Sequence, residues 1–213
     1  QSFGGLMASG LLNVVGEHMN GLQIAGIANI TASKLNGMQI ALCNYATQAR
    51  GLQIGLVNYY KEDMKGFQLG LVNANPDTRV QMMVYGGNAT PANIGVRFKN
   101  QLFYTILGVG SMYQGLNDKF SASASYRAGL SFTLYKGLSI SGDLGYQHIE
   151  AFDNKDEVIP KRLYALQARA NLEYQFTRKF GIFATGGYGL TRFYNKSSNY
   201  DKGAIIEAGI VLF

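Results

Sequence analysis

Hydrophobic and polar residues alternate along two long stretches in the second half of the chain. Since successive side chains on a β-strand point to opposite faces, each stretch can be divided into two faces. In residues 120–134 and again in 163–177, one face is apolar and the other is mostly small or polar. The apolar faces are Phe120, Ala122, Ala124, Tyr126, Ala128, Leu130, Phe132 and Leu134, and Tyr164, Leu166, Ala168, Ala170, Leu172, Tyr174 and Phe176. Strands of this length, with aromatic residues at both ends of an apolar face, predict a membrane-spanning barrel.

The connections between these strands are of two kinds. The short ones are Lys99-Asn100, Lys136-Gly137 and Arg178-Lys179, and the longer polar ones span 115–119, 151–161 and 195–202. Outer-membrane barrels have short turns on the periplasmic side and longer loops outside, so this asymmetry indicates the same architecture.

The last segment, 204–213, alternates and ends in an aromatic residue, as the C-terminal strand of bacterial outer-membrane barrels does. Glu207 departs from the pattern because it shares its face with Val211 and Phe213. We expect either a bulge that resets the register at this residue, or a carboxylate that reaches towards the loop end.

A repeated unit of the form Gly-x-Gln-φ, where φ is apolar, fills residues 5–73. Its copies span 21–29, 37–44, 51–58 and 66–73, with a degenerate copy at 5–13, and they recur every 14 to 16 residues. The repeats are compatible with further barrel strands, with Leu and Ile facing lipid. They are equally compatible with a short β-solenoid that has Leu and Ile inside and asparagine ladders at its corners.

The number of strands separates these two alternatives. Strands starting near 21, 37, 51, 66, 79, 92, 101, 120, 137, 163, 180 and 203 give an even count of twelve, which returns both termini to the periplasm. We therefore predict an all-β fold, an antiparallel transmembrane β-barrel of twelve strands over residues 1–213. The repeats at 5–73 lie within it and the non-repeat strands span 79–213. The alternative is an eight-stranded C-terminal barrel with an N-terminal β-solenoid of 14–16-residue repeats.

The repeats and two further blocks resemble the surface-repeat outer-membrane proteins of Bacteroidota. The blocks are 85–98 (YGGNATPANIGVRF) and 103–110 (FYTILGVG), and the resemblance extends over most of the chain. It implies an outer-membrane location in a Gram-negative bacterium. It supplies no activity, because the family has no catalytic residues to carry over.

Composition limits the classes of partner. Hydrophobic residues make up 47% of the chain, yet no stretch approaches the roughly 18 consecutive apolar residues of a membrane helix. The net charge of +6 is spread over turns and loops, without the basic stripe of a nucleic-acid surface. We therefore expect contact with outer-membrane lipid and lipopolysaccharide, no nucleic acid, and other outer-membrane proteins or lipoproteins as candidate partners.

Catalytic chemistry has little support in the sequence. His148 has Glu150 two positions away, but the alternation places both on the lipid face, at the outer headgroup boundary, with no serine beside them in the strand. Two distant histidines and one cysteine do not form a metal site. We predict no catalytic residues, no metal and no cofactor.

The charges predicted to face inward are the informative ones: Arg127, Asp143, Arg169 and Glu173. If the link at 151–161 closes a hairpin centred near residue 156, Asp143 and Arg169 fall roughly opposite one another. Ions inside a barrel are costly unless they are paired or hydrated, so they form either a salt-bridge network that closes the lumen or the lining of a water-filled path. We predict the network, and with it a non-catalytic structural or accessory barrel that docks partners in the cell envelope. The alternatives are a small diffusion channel and, third, a lipid-modifying enzyme that uses His148.

Overall fold

The computed structural model describes residues 1–111, 120–152, 162–194 and 199–213, and its regular elements are all β-strands. The all-β prediction is therefore confirmed. The chain divides into two compact units, Gln1–Thr78 and Arg79–Phe213, which we call the repeat unit and the barrel unit. Among the described residues there is no helix long and apolar enough to cross a membrane.

The repeat unit is a β-solenoid, in which the chain coils so that equivalent segments of successive repeats lie side by side. Its strands pair in parallel, and Gly21, Gly37, Gly51 and Gly66 stand next to one another in the register. Each coil contributes to two rows of strands, since β2 pairs with the first part of β4 and β3 with its last part. The strands are β1 (Phe3–Ser9), β2 (Leu12–Val15), β3 (His18–Ala25), β4 (Ala28–Ile40), β5 (Cys43–Ile54), β6 (Val57–Leu69) and β7 (Val72–Ala74).

The two rows face each other across a thin core. Side chains from both rows, among them Val15, Met19 and Leu35, form one buried apolar cluster. Two ladders of amides run beside it from coil to coil. The asparagine ladder joins Asn13, Asn29, Asn44, Asn58 and Asn73 through bonds of 2.9 to 3.1 Å, and the glutamine ladder joins Gln23, Gln39, Gln53 and Gln68 through bonds of 2.8 to 2.9 Å. Within each ladder the amides thus bond to one another, which makes these buried polar side chains tolerable. Nε2 of Gln23, at the start of its ladder, has no hydrogen-bond partner among the described residues.

The glycine that opens each repeat has a conformational reason. Gly37 has a φ of 137°, and a Cβ on it would lie 2.0 Å from the carbonyl oxygen of Gly21 in the preceding coil. Gly51 repeats both features against Gly37, with a φ of 133° and a distance of 1.9 Å. The coils can stack at this spacing only because the column has no side chains.

The preferred twelve-stranded interpretation is wrong, and the stated alternative is the one that the structure has. The repeats pair in parallel with one another, whereas strands of a single-chain membrane barrel run antiparallel. The repeat region at 5–73 therefore belongs to a separate unit, and the barrel has eight strands.

The barrel unit is a closed antiparallel sheet in which each strand pairs with two neighbours. The order of strands around it is β10-β11-β12-β13-β14-β15-β8-β9, and the last strand in sequence closes the wall against the first. The strands are β8 (Arg79–Gly87), β9 (Ala92–Asn100), β10 (Phe103–Ser111), β11 (Ser121–Tyr135), β12 (Leu138–Ala151), β13 (Arg162–Thr177), β14 (Phe180–Phe193) and β15 (Asn199–Leu212). The prediction of an antiparallel barrel is thus confirmed for the region that follows the repeats.

The turns agree with the prediction to within two residues. Lys136-Gly137 and Arg178-Lys179 connect strands as predicted, while the first short turn is Gln101-Leu102, because β9 continues to Asn100. Of the predicted longer links, 115–119 and most of 151–161 lie outside the described residues, and residues 199–202 of the third belong to β15.

Candidate functional site

Three arginines and three carboxylates project from five strands into the barrel lumen. Each of the six residues is at most 8% exposed. A buried ion destabilises a fold unless it is paired, so the question at this site is how the six charges meet. The arginines are Arg97, Arg127 and Arg169, and the acids are Asp143, Glu173 and Glu207.

Arg127 on β11 and Asp143 on β12 form a two-pronged pair. The Nε and Nη2 of Arg127 donate to the two carboxylate oxygens of Asp143, each at 2.8 Å. The Tyr104 hydroxyl and the Asn171 amide donate to Oδ2 of the same carboxylate at 2.8 and 2.9 Å. The carboxylate thus accepts four hydrogen bonds, and this parallel geometry is the strongest that an arginine and a carboxylate form.

Arg97 on β9 and Glu173 on β13 meet in the same way. Nη1 and Nη2 of Arg97 donate to the two carboxylate oxygens of Glu173 at 2.6 and 3.0 Å. Its Nε donates to the Gln81 side-chain oxygen at 2.6 Å, and its guanidinium lies 5.9 Å from the Tyr104 ring centre. Strands from opposite parts of the wall are thereby joined through the lumen.

Glu207 on β15 links the remaining arginine to the first pair. Nε and Nη2 of Arg169 donate to its carboxylate at 3.1 and 3.2 Å, and Nη1 of Arg127 lies 3.7 Å from the same group. The expectation for Glu207 was wrong, because β15 keeps its register there and the residue points inward like the fully buried Val211. The error came from Val211, an apolar residue that was assigned to the lipid face.

All four sequence-predicted charges lie in the lumen, but they are partnered differently from the expectation. Asp143 and Arg169 stand opposite one another in the β12–β13 register, as predicted, yet within the described residues no ion pair joins them. Their partners are Arg127 and Glu207. Of the two members that sequence reasoning missed, Arg97 was detectable, because it follows Asn93 and Gly95 on one face of a short alternating strand.

The network leaves little free space. A void of about 10 Å³, the volume of about one water molecule, lies among Arg97, Arg127, Glu173 and the surrounding side chains. On the loop side, a cavity of about 240 Å³ is lined by Gln167, Gly189, Thr191, Asp201 and Ile205, among others. Arg169 follows Gln167 on the same face of β13, so the Arg169–Glu207 pair lies one step deeper along the strand than the lining of this cavity.

His148 lies in a second polar cluster, on the outward face at the loop end of the barrel. Its Nδ1 is 2.6 Å from the Tyr194 hydroxyl and its Nε2 is 3.3 Å from Glu150, which also binds Arg162 at 3.1 Å. Tyr194 follows the end of β14 and hydrogen-bonds to Tyr146. Partial burial and the bond to Tyr146 raise the pKa of Tyr194 to about 12, so its hydroxyl stays protonated at neutral pH. The predicted outward orientation of His148, near the loop end of its strand, is confirmed.

The outer face of the barrel is apolar. Leu144, Leu166 and Leu172 are 72%, 46% and 51% exposed, while the residues that alternate with the outward ones along each strand point into the lumen. An outward apolar band on a closed antiparallel barrel, with short turns at one end, is the architecture of outer-membrane proteins. The barrel unit is therefore an outer-membrane β-barrel. Among the described residues, no three His, Cys, Asp or Glu side chains gather closely enough to hold a metal ion.

No protein-family model and no curated protein matches the chain. Among solved structures it is similar to the N-terminal β-barrel domain of Pseudomonas aeruginosa OprF, with 17% identity over 62% of this chain and 93% of that one (TM-score 0.39). It is also similar to Yersinia pestis Ail, with 16% identity over 64% and 99% of the two chains (TM-score 0.39). A de novo designed transmembrane β-barrel has 14% identity over 62% and 91% (TM-score 0.39).

Proposed function

We propose that this protein is a non-catalytic structural or accessory component of the outer membrane, whose closed barrel anchors the repeat unit in the cell envelope. The observation that carries the proposal is the lumen, where three arginines are each bound to a carboxylate. A balanced set of ions that pairs across the lumen supports an anchor, since a channel needs a continuous wet path. Outer-membrane lipid and lipopolysaccharide are the proposed contacts of the barrel wall. We also propose that the chain is related to the surface-repeat outer-membrane proteins of Bacteroidota, which its repeats resemble.

Conductance in a planar lipid bilayer tests whether the barrel is closed. We expect no discrete current steps from the purified protein, because the void beside Arg97 and Glu173 holds about one water molecule. Insertion is verified independently by protease protection in vesicles. Steps that change in size when Arg169 or Glu173 is replaced would establish a diffusion channel instead, and the proposal would fail. The matched control is Glu150→Gln, on the outward face.

The lipid-modifying alternative makes a separate prediction about His148. The described hydrogen bonds of its ring go to Tyr194 and Glu150, and no serine hydroxyl is among these partners. We therefore expect His148→Ala to leave the lipid composition of the outer membrane unchanged, as measured by mass spectrometry of extracts from cells that express equal amounts of each protein. A lipid species that disappears with His148→Ala, and persists with Arg162→Ala as control, would assign catalysis to this cluster.

A further inference from the structure

One edge of the repeat unit is formed by a column of exposed apolar residues. We call it the apolar edge: Leu11, Ile27, Leu42, Leu56 and Leu71, which are 66%, 52%, 50%, 49% and 37% exposed. They occupy the same turn in five successive coils, where the chain passes from one row of strands to the other. Exposed side chains that recur at one place form a continuous surface, and continuous apolar surfaces mark contacts.

The opposite edge shows that turns of this solenoid need no such residues. There the chain also passes between the rows, and its turns carry Glu17, Ser33, Thr47 and Glu62. Polar residues are the usual occupants of turns exposed to water. Since both edges perform the same geometric task, the leucines and isoleucine of the apolar edge require an explanation other than folding.

Backbone groups at the apolar edge are hydrogen-bonded from one coil to the next. The amides that follow Leu42 and Leu56 donate to the carbonyl oxygens of Ile27 and Leu42 in the neighbouring coils, at 2.8 and 2.9 Å. From inside, the ladder residue Asn44 donates to the carbonyl oxygen of Ile54 at 2.8 Å. Backbone groups in contact with lipid chains must be hydrogen-bonded within the protein, and these bonds between coils provide such partners for part of the edge backbone.

On the row of strands that contains Tyr45, the outward side chains change from apolar to aromatic to basic with increasing distance from the apolar edge. This residue lies three positions after Leu42, about 10 Å along the strand, and its ring stacks on that of Tyr59 in the next coil at 5.8 Å. In that next coil, exposed Lys61 lies two positions after Tyr59. The succession of aliphatic, tyrosine and basic side chains matches the depth profile of a membrane interface, where tyrosine rings lie at headgroup level.

The other row of strands shows the same order. Ile54 and Leu52 lie on its outer surface next to the edge, since Gln53 between them is fully buried. Beyond them come Arg50 and, in the next coil, Lys65, both exposed. Basic side chains beside an apolar surface are attracted to anionic lipid headgroups, so the charge on this row complements a membrane.

We propose that the apolar edge inserts into one leaflet of the lipid bilayer, with acyl chains around Leu42 and Leu56 and anionic headgroups at the basic residues. The ligand is thus a phospholipid surface that contains anionic lipid. The same chain carries a membrane-spanning barrel, so the protein is held at a bilayer. The insertion adds a second, interfacial membrane contact to the one that the barrel makes.

The chain offers a probe for this contact, because its single cysteine, Cys43, is exposed and adjacent to Leu42. The full-length protein is labelled at Cys43 with the fluorophore NBD and placed, one copy per disc, in phosphatidylcholine–phosphatidylglycerol nanodiscs. Brominated acyl chains then serve as quenchers. We expect blue-shifted NBD emission that loses most of its intensity with brominated lipid. The matched control is Cys43→Ser with Glu62→Cys, labelled on the polar edge, whose emission should change little.

The proposal fails if quenching is equal at both edges, or if there is no quenching at Cys43. A blue shift that appears only when several copies share one membrane would show that a second copy covers the edge, which also contradicts lipid insertion. Replacing Leu42 and Leu56 by aspartate should abolish quenching at Cys43, whereas Thr47→Asp should not. Should the aspartate pair fail to fold, as judged by circular dichroism, the serine pair at the same positions gives the same comparison.

Discussion

Alanine at Gly37 is expected to destabilise the repeat unit by about 3 kcal/mol or more, since it combines backbone strain with a steric conflict in a thin core. The φ of 137° is one that residues with a Cβ rarely adopt, and the new methyl carbon would lie 2.0 Å from the carbonyl oxygen of Gly21. That oxygen belongs to the backbone of the neighbouring coil. The coils can therefore relieve the contact only by moving apart, which lengthens the amide ladders beside it.

Hydrogen exchange measured by mass spectrometry in increasing urea gives the free energy of unfolding of the repeat unit within the full-length protein. The matched control is Gly10→Ala in the same unit, where a Cβ meets nothing within 4 Å and φ is ordinary. This control is expected to change the free energy by less than about 0.5 kcal/mol. Equal losses from the two substitutions would mean that the glycine column has no special role in stacking.

The positions of single strands could be predicted from the sequence. The way in which the strands pair with one another could not be predicted as well. The starts of β8, β9 and β14 were predicted at 79, 92 and 180 and are observed there, because alternation and turn residues are local signals. Whether a repeat pairs in parallel with the next copy is a question of non-local hydrogen bonding. A strand with leucine and isoleucine on one face fits a barrel wall and a solenoid equally well, so composition could not separate them.

For the lumen site, the sequence predicted which side of the wall most of the charged residues face, but not how they pair. Arg127, Asp143, Arg169 and Glu173 lie on long strands whose two faces differ clearly, so parity alone assigns them to the lumen. On β15 both faces contain aliphatic residues, and parity then fails for Glu207. Which acid binds which arginine depends on the closure of the barrel, which brings β15 and β9 together with β13. A local sequence pattern contains no information on which distant strands the closure of the barrel brings together.

Removing the carboxylate of Glu207 is expected to destabilise the barrel by about 3 to 5 kcal/mol, the usual cost of leaving a buried ion without its partner. Arg169 loses both of its charged hydrogen bonds, and Arg127 loses the carboxylate that lies 3.7 Å from its Nη1. Glu207→Met keeps most of the side-chain volume, so the effect reports charge more than packing. Urea unfolding in lipid vesicles, followed by the electrophoretic shift between folded and unfolded barrel, measures it.

Two further variants separate the ion pair from a general effect of the substitution. Glu150→Met removes the same carboxylate from a pair with Arg162, whose side chain is 69% exposed, and its expected cost is under about 1 kcal/mol. The double variant Arg169→Met with Glu207→Met removes both ions, while Arg127 keeps its two bonds to Asp143. We expect the double variant to be more stable than Glu207→Met alone, because no arginine is then left unpaired. A double variant that is less stable than the single one would mean that Arg169 contributes through packing, and the lumen would then be held closed by volume instead of by paired charge.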